Sequence, residues 1–226
     1  MPLYIKPPVY ECEWMGEVPL NPGEICVAKN ICDGDPRIAS WSIDWLNPSS
    51  MNNWQQKLDM MCEPKLKIGL LGTMYFIGWT MTATWLPRFA DLYGRKNLFK
   101  ISQVCDTILF VALFLIDDLN AMLAFMFILG LLTSIRINVG YIYMNEFIPK
   151  RGQSHFGTAW CAIDASVMLW VTLFFINSMT RNWEIIVMVG FAMQIVGLVG
   201  SFMLPESPKF LIEQNRLEEA KECLFH

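Results

Sequence analysis

The chain has 226 residues, a formal net charge of −4 and a mean hydropathy of +0.36; 54% of it is hydrophobic and 17% charged, against about 25% charged in soluble domains. These values argue against a soluble globular fold, and no nucleic-acid partner is expected. His155 and His226 lie in a loop and at the terminus, and no nucleophile motif, phosphate-binding loop or metal-spaced carboxylate set occurs. The chain is therefore read as a non-enzyme with no cofactor and no metal.

Residues 1–65 are polar and rich in turn formers, such as Pro7-Pro8, Asn21-Pro22-Gly23, Asp33-Gly34-Asp35-Pro36 and Asn47-Pro48. Such runs favour irregular structure. Trp14, Trp41, Trp45 and Trp54 supply apolar content, so a compact loop is expected, with a short helix near Met51–Met61. The region carries four of the seven cysteines, Cys12, Cys26, Cys32 and Cys62. An even number in a non-cytosolic segment predicts two disulfides, with three pairings open. Zinc fits less well, since no paired Cys-x-x-Cys or nearby His exists. The region lacks an apolar leader. Either the first apolar run acts as a reverse anchor, or a further helix precedes it.

Five apolar runs follow: Leu66–Leu86, Leu98–Ile116, Ala121–Met144, Gly157–Ile176 and Ile185–Leu204. Each is close to the roughly 20 residues that span a bilayer. The predicted fold is an all-α, multi-pass integral membrane protein of about five transmembrane helices. Its expected divisions are 1–65 as an extracellular or lumenal cysteine-rich region, 66–204 as the helical bundle and 205–226 as a cytoplasmic segment. The side follows from charge. Arg88, Arg95, Lys96 and Lys100 flank the first short turn, and Lys150 and Arg151 the third, whereas Asp117-Asp118-Leu119-Asn120 has no basic residue. By the positive-inside rule the Arg95 turn is cytoplasmic. Lys57, Lys65 and Lys67 run against that rule.

Three charges fall inside the runs: Asp106, Arg136 and Asp164. A charge at membrane depth faces a partner or a cavity. Asp106 is about two turns from the cytoplasmic end, near water. Arg136 and Asp164 come at similar depth on consecutive helices. The favoured reading is a structural ion pair between them; a solute or proton site is the alternative. Asn138 and Gln194 are candidates for a polar lining. Cys105, Cys161, Met144, Met168 and Met188 are read as packing residues, and Cys223 as a cytoplasmic thiol.

Three short motifs carry a family resemblance. Pro87-Arg-Phe-Ala-Asp91-Leu92-Tyr-Gly94-Arg95-Lys96 resembles the Gly-x-x-x-Asp-Arg-x-Gly-Arg-Arg turn between the second and third helices of the major facilitator superfamily. Pro87 replaces its glycine and Leu92 its basic residue. Glu146-Phe-Ile-Pro149-Lys-Arg151-Gly152 resembles a Glu-x-x-Pro-x-x-x-Arg-Gly element, with Arg151 two residues early. Pro205-Glu206-Ser207-Pro208-Lys209-Phe210-Leu211 is similar to a Pro-Glu-Ser-Pro-Arg-Trp-Leu element of the organic cation and sugar transporter branch. Leu58-Asp-Met-Met-Cys62 and Arg181-Asn-Trp183 resemble further elements of that branch.

The resemblance implies helices two to six of a facilitator-type N-terminal half. Its first helix and the other half are expected to be missing. It assigns Asp91, Gly94, Arg95, Lys96, Glu146, Arg151 and Glu206 to a cytoplasmic charge network that loosens as the transporter switches. The implied function is part of a solute transporter for organic ions or sugars. The alternative is a transport-inactive remnant serving as a structural subunit of a larger membrane complex. Expected partners are lipid, the missing half or other membrane subunits, and a small organic solute.

Overall fold

The structure is a computed structural model that describes residues 7–16, 26–47, 50, 52–177, 183–219 and 221. Arg181, Cys223 and His226, and the side chain of Asp91, lie outside the described residues.

The N-terminal region is more regular than its turn formers suggest. Strand β1 (Tyr10–Trp14) pairs antiparallel with β2 (Ile38–Ile43), joining Tyr10 to Ile43 and Cys12 to Trp41, with an irregularity at Glu13/Trp14. The Tyr10 and Trp41 rings meet edge to face, with centroids 5.7 Å apart. Between the strands runs the short helix α1 (Ala28–Cys32). After them come α2 (Trp54–Lys57), whose N-cap Asn53 accepts from the Gln55 N–H, and a 3-10 turn at Met60–Cys62. These last two elements fall where the sequence predicts a short helix.

Both expected disulfides are present, as Cys12–Cys26 and Cys32–Cys62. The first ties β1 to the start of α1, and the second ties the end of α1 to the turn before the first long helix. Entering β2, the Arg37 side chain donates a hydrogen bond to Asp35 at 2.9 Å, which lowers the Asp35 pKa to about 2.

Five long helices follow: α3 (Lys65–Tyr93), α4 (Arg95–Leu115), α5 (Leu119–Phe147), α6 (Lys150–Asn177) and α7 (Trp183–Met203), then the short α8 (Pro208–Glu213). Among the described residues, four stretches are long and apolar enough to cross a membrane: Arg95–Leu115, Leu119–Phe147, Lys150–Phe174 and Trp183–Ile212. Helix α3, the first of the five predicted spans, is long enough at 29 residues, but Thr73, Thr80, Thr82 and Thr84 dilute its apolar content. Their hydroxyls all bond carbonyls of the same helix, which removes much of the cost of placing them in hydrocarbon.

Helix α5 is the centre of the bundle, packed against α3 and α4, while α4 also packs on α7. At the α3–α5 crossing the backbones nearly touch. A Cβ on Gly78 would overlap the Phe127 carbonyl oxygen and come within 3.0 Å of Leu131 N; one on Gly130 would overlap the Tyr75 carbonyl oxygen and come within 3.1 Å of Trp79 N. Close backbone approach through small residues is how membrane helices gain contact without a hydrophobic driving force between them. The single proton of the fully buried Thr82 hydroxyl is shared between the Gly78 carbonyl of its own helix at 3.1 Å and the Leu131 carbonyl across the same crossing at 3.3 Å.

The larger apolar core lies toward one end of the bundle, around Leu113, Met122, Phe125, Met126 and Trp183. The N-terminal region caps this end. Trp54 meets Trp183 edge to face at 6.1 Å, and Phe114 stacks on Trp183 at 5.9 Å. The Trp183 N–H donates to the Asn52 carbonyl at 3.3 Å. Lys57 explains why a lysine sits here against the positive-inside pattern. Its Nζ donates to the Leu113 and Phe114 carbonyls at 3.0 and 2.9 Å and lies 5.4 Å from the Trp183 ring. A cation on the last carbonyls of α4 satisfies acceptors that the helix leaves open and complements its dipole. Lys57→Met keeps the stem and removes those bonds. It is expected to cost about 1–2 kcal/mol, read as a lower melting temperature in detergent with faster proteolysis of the cap.

Candidate functional site

The three motifs converge at the other end of the bundle, the Gly94 end. Gly94 joins α3 to α4 at φ +84°, a conformation that L side chains resist, and a Cβ there would lie 3.3 Å from the Phe210 ring. Gly94 occupies the α4 N-cap position. The next residue, Arg95, forms an ion pair with Glu146 near the end of α5, and both side chains are at least nine-tenths buried.

Glu146 also accepts from the Ser207 hydroxyl. Ser207 caps α8 by accepting from the Phe210 N–H at 3.3 Å, with Pro208 at the first helical position. Glu206 accepts from the Lys96 N–H at 3.3 Å and from the Ser207 N–H at 3.2 Å. The Tyr143 hydroxyl donates to the Pro205 carbonyl. Residues more than a hundred positions apart in the chain thus share one polar cluster, with Glu146 held from two sides. Arg151 stands exposed in the first turn of α6 and joins none of these contacts among the described residues.

The cluster is built on a neutral hydroxyl as well as on charge, so the roles can be separated. Glu146→Gln keeps an acceptor for Ser207 and removes the charge facing Arg95. About 1.5–3 kcal/mol of stability should go with it, the range for hydrogen bonds to charged groups. Ser207→Ala should cost less. The comparison is made by unfolding of the two variants in the same detergent.

The intramembrane charges are arranged differently from the sequence expectation. Arg136 pairs with Asp106, not with Asp164: its Nε lies 2.7 Å from Asp106 Oδ2. Asp106 is therefore not a residue at the water's edge; its side chain is 2% exposed, while that of Arg136 is 32% exposed. The reason is neighbourhood. Helix α5 lies against α4 and α3, whereas α6 stands at the margin of the bundle. Its main attachments are the Phe156 and Trp160 rings, each about 6 Å from Tyr141 of α5, and Val171 and Phe174 against the core.

Asp164 is exposed on α6, and Tyr75 of α3 has the Thr133 side chain beside it, with Arg136, Asp106 and Asp164 in its wider surroundings.

Of the expected polar lining, Asn138 donates to the Ser134 carbonyl of its own helix at 2.9 Å. Gln194 bonds Gln103 at 2.7 Å across the buried α4–α7 seam. Gln194 is a strut between helices rather than a lining group. Cys161, Met168 and Met188, read as packing residues, are exposed on the outer faces of α6 and α7. The participants in the Gly94-end cluster that the sequence reading does not assign are Ser207 and Tyr143. Only Ser207, a serine before a proline at a helix start, carried a local signal.

The family model described as "Sugar (and other) transporter" matches residues 41–226. Synaptic vesicle glycoprotein 2B of Rattus norvegicus is 28% identical over 174 residues, covering 71% of this chain and 26% of that protein. The niacin transporter NiaP of Acinetobacter baylyi is 29% identical over 164 residues, 69% of this chain and 36% of that protein. Solute carrier family 22 member 2 of Mus musculus is 22% identical over 182 residues, 80% of this chain and 32% of that protein. The chain spans about a quarter to a third of the length of these relatives. With the family model covering most of its length, and with the motif cluster and the apolar helices in place, the chain is a multi-pass integral membrane protein that belongs to the sugar (and other) transporter family.

Proposed function

We propose that the chain forms one helical bundle of a facilitator-type carrier for a small organic solute, either an organic ion or a sugar. The observation that carries this reading is the meeting of Arg95, Glu146 and Glu206, one from each motif, at a single end of the bundle. Such a cluster suits a gate: its members sit on α4, on α5 and before α8, so loosening it frees the elements that it joins. The Gly94 end is taken as cytoplasmic, in line with loop charge.

The solute side of the reading rests on Asp164, Arg136 and Tyr75. Asp106 is committed to Arg136, so the charge left to a visitor is the carboxylate of Asp164. That favours a cationic or hydrogen-bonding neutral solute over an anion. Niacin belongs to a relative by name and sugars to the family's description; both enter here as members of a test panel.

Alternating access needs two bundles about a shared midplane site. The chain by itself is expected to bind solute without carrying it across. The reading is tested by thermal shift of the purified chain against organic cations, organic anions, niacin and hexoses. A stabilising solute whose effect disappears in Asp164→Asn supports it; a panel without any stabilising member overturns it. Uptake into liposomes by the chain alone, abolished by Asp164→Asn, would overturn the requirement for a second bundle.

A further inference from the structure

We propose that the Gly94 end of the α4–α7 seam binds the headgroup of an anionic glycerophospholipid, with Lys96 and Lys100 as its phosphate ligands and the outer face of α4 as the bed for its acyl chains. Arg95 is committed to Glu146. The two lysines that follow are not committed to any carboxylate among the described residues. Glu206, close by, receives the backbone N–H of Lys96 rather than its ammonium. Lys100 instead holds its Nζ 4.9 Å from the centroid of the Phe202 ring on α7. That cation–π contact keeps the ammonium at the helix seam instead of free in water. Lys96 sits four residues earlier, one turn along the same helix, so two positive charges stand one above the other.

The surface beside them is apolar. Ile101, Val104, Ile108, Val111 and Leu115 are between 38% and 75% exposed. Their spacing of three and four places them in a single stripe along α4. Phe202 and Met203, 58% and 84% exposed, extend the apolar surface onto α7 at the level of Lys100. Two ammonium groups at headgroup depth, above a stripe at acyl-chain depth, match a lipid with net negative charge. A zwitterionic lipid brings its own cation to the same place and gains less. Positive-inside topology alone accounts for lysines near this leaflet, but not for one fastened over an aromatic ring at the top of an apolar seam.

The test uses the full chain in mild detergent with equal amounts of phosphatidylglycerol and phosphatidylcholine, and native mass spectrometry to count the lipids retained. Phosphatidylglycerol is expected in about 25-fold excess, dropping about fivefold for each of Lys96→Gln and Lys100→Gln. Lys221→Gln in the tail should leave the excess intact, and Lys96→Arg with Lys100→Arg should preserve it. The excess on the unaltered chain should also shrink as salt is raised, a readout independent of how any variant folds. Equal retention of the two lipids by the unaltered chain overturns the proposal, as does an excess that survives the double glutamine change.

Discussion

Asp106→Leu alone and Arg136→Met alone are each expected to cost the bundle about 3–5 kcal/mol, while the two changes together restore most of that loss. The asymmetry follows from the geometry. Asp106 is 2% exposed and stands 2.7 Å from Arg136 Nε. Its Oδ1 has no hydrogen-bond partner among the described residues. Removing Arg136 therefore leaves a carboxylate at membrane depth with neither counter-charge nor donor, and the bundle must protonate it, admit water or open. Removing Asp106 leaves a guanidinium that is 32% exposed on its open side, so Arg136 can relax toward Asp164 and the loss should fall at the lower end of the range. The double change exchanges two desolvated charges for two apolar side chains that suit their surroundings. The measurement is a double-mutant cycle from reversible unfolding in mixed micelles. Additive single and double losses would show that the pair is not coupled. A further swap, Arg136→Asp with Asp164→Arg, should fail to restore stability, because Asp164 is not the partner.

The difference between the Asp164 and Asp106 pairings marks where sequence reasoning stopped. Counting residues from the ends of apolar runs gives depth along a helix. By that measure Arg136 and Asp164 were matched. Depth says nothing of which helices touch, and α5 spends its contact surface on α3 and α4. Gly94, Arg95, Glu146 and Glu206 each lie at a helix end, and turns on one side of a bundle are brought together by topology alone. Arg151, displaced by two residues in its motif, falls outside the cluster.

Other features had a signal that was outweighed. Tyr10, Cys12 and Trp14 alternate with Glu11 and Glu13 at the period of a strand, yet the surrounding Pro and Gly drew the reading toward irregular structure. Lys57 counted against the orientation when treated as a bare charge; as a cap on the α4 carbonyls it is neutral evidence. Gln194 read as lining because depth alone cannot show that Gln103 stands opposite. Met168 and Met188 read as packing because any apolar residue in a span can face either protein or lipid.

Gly130→Ala is expected to prevent α3 and α5 from reaching their native separation, and Gly78→Ala to do the same from the other side. Each glycine faces the other helix's backbone, not a side chain that could turn away. A methyl group on Gly130 would overlap the Tyr75 carbonyl oxygen and lie 2.9 Å from its carbon; on Gly78 it would overlap the Phe127 carbonyl oxygen. Neither helix can yield locally, because those carbonyls are bonded within their own helices. The axes must move apart instead. That shift would lengthen the Thr82 hydroxyl contact with Leu131, now 3.3 Å. It would also move Arg136 and Tyr75, which sit within a turn or two of the crossing, relative to one another. The loss should reach or exceed about 3 kcal/mol, the upper part of the usual overpacking range. Gly69→Ala, with open space around its Cβ position, is the control and should be neutral or slightly stabilising, since alanine favours helix over glycine. The readout is the melting temperature of each variant in one detergent. Native-like melting in Gly130→Ala would show that the two backbones do not meet there.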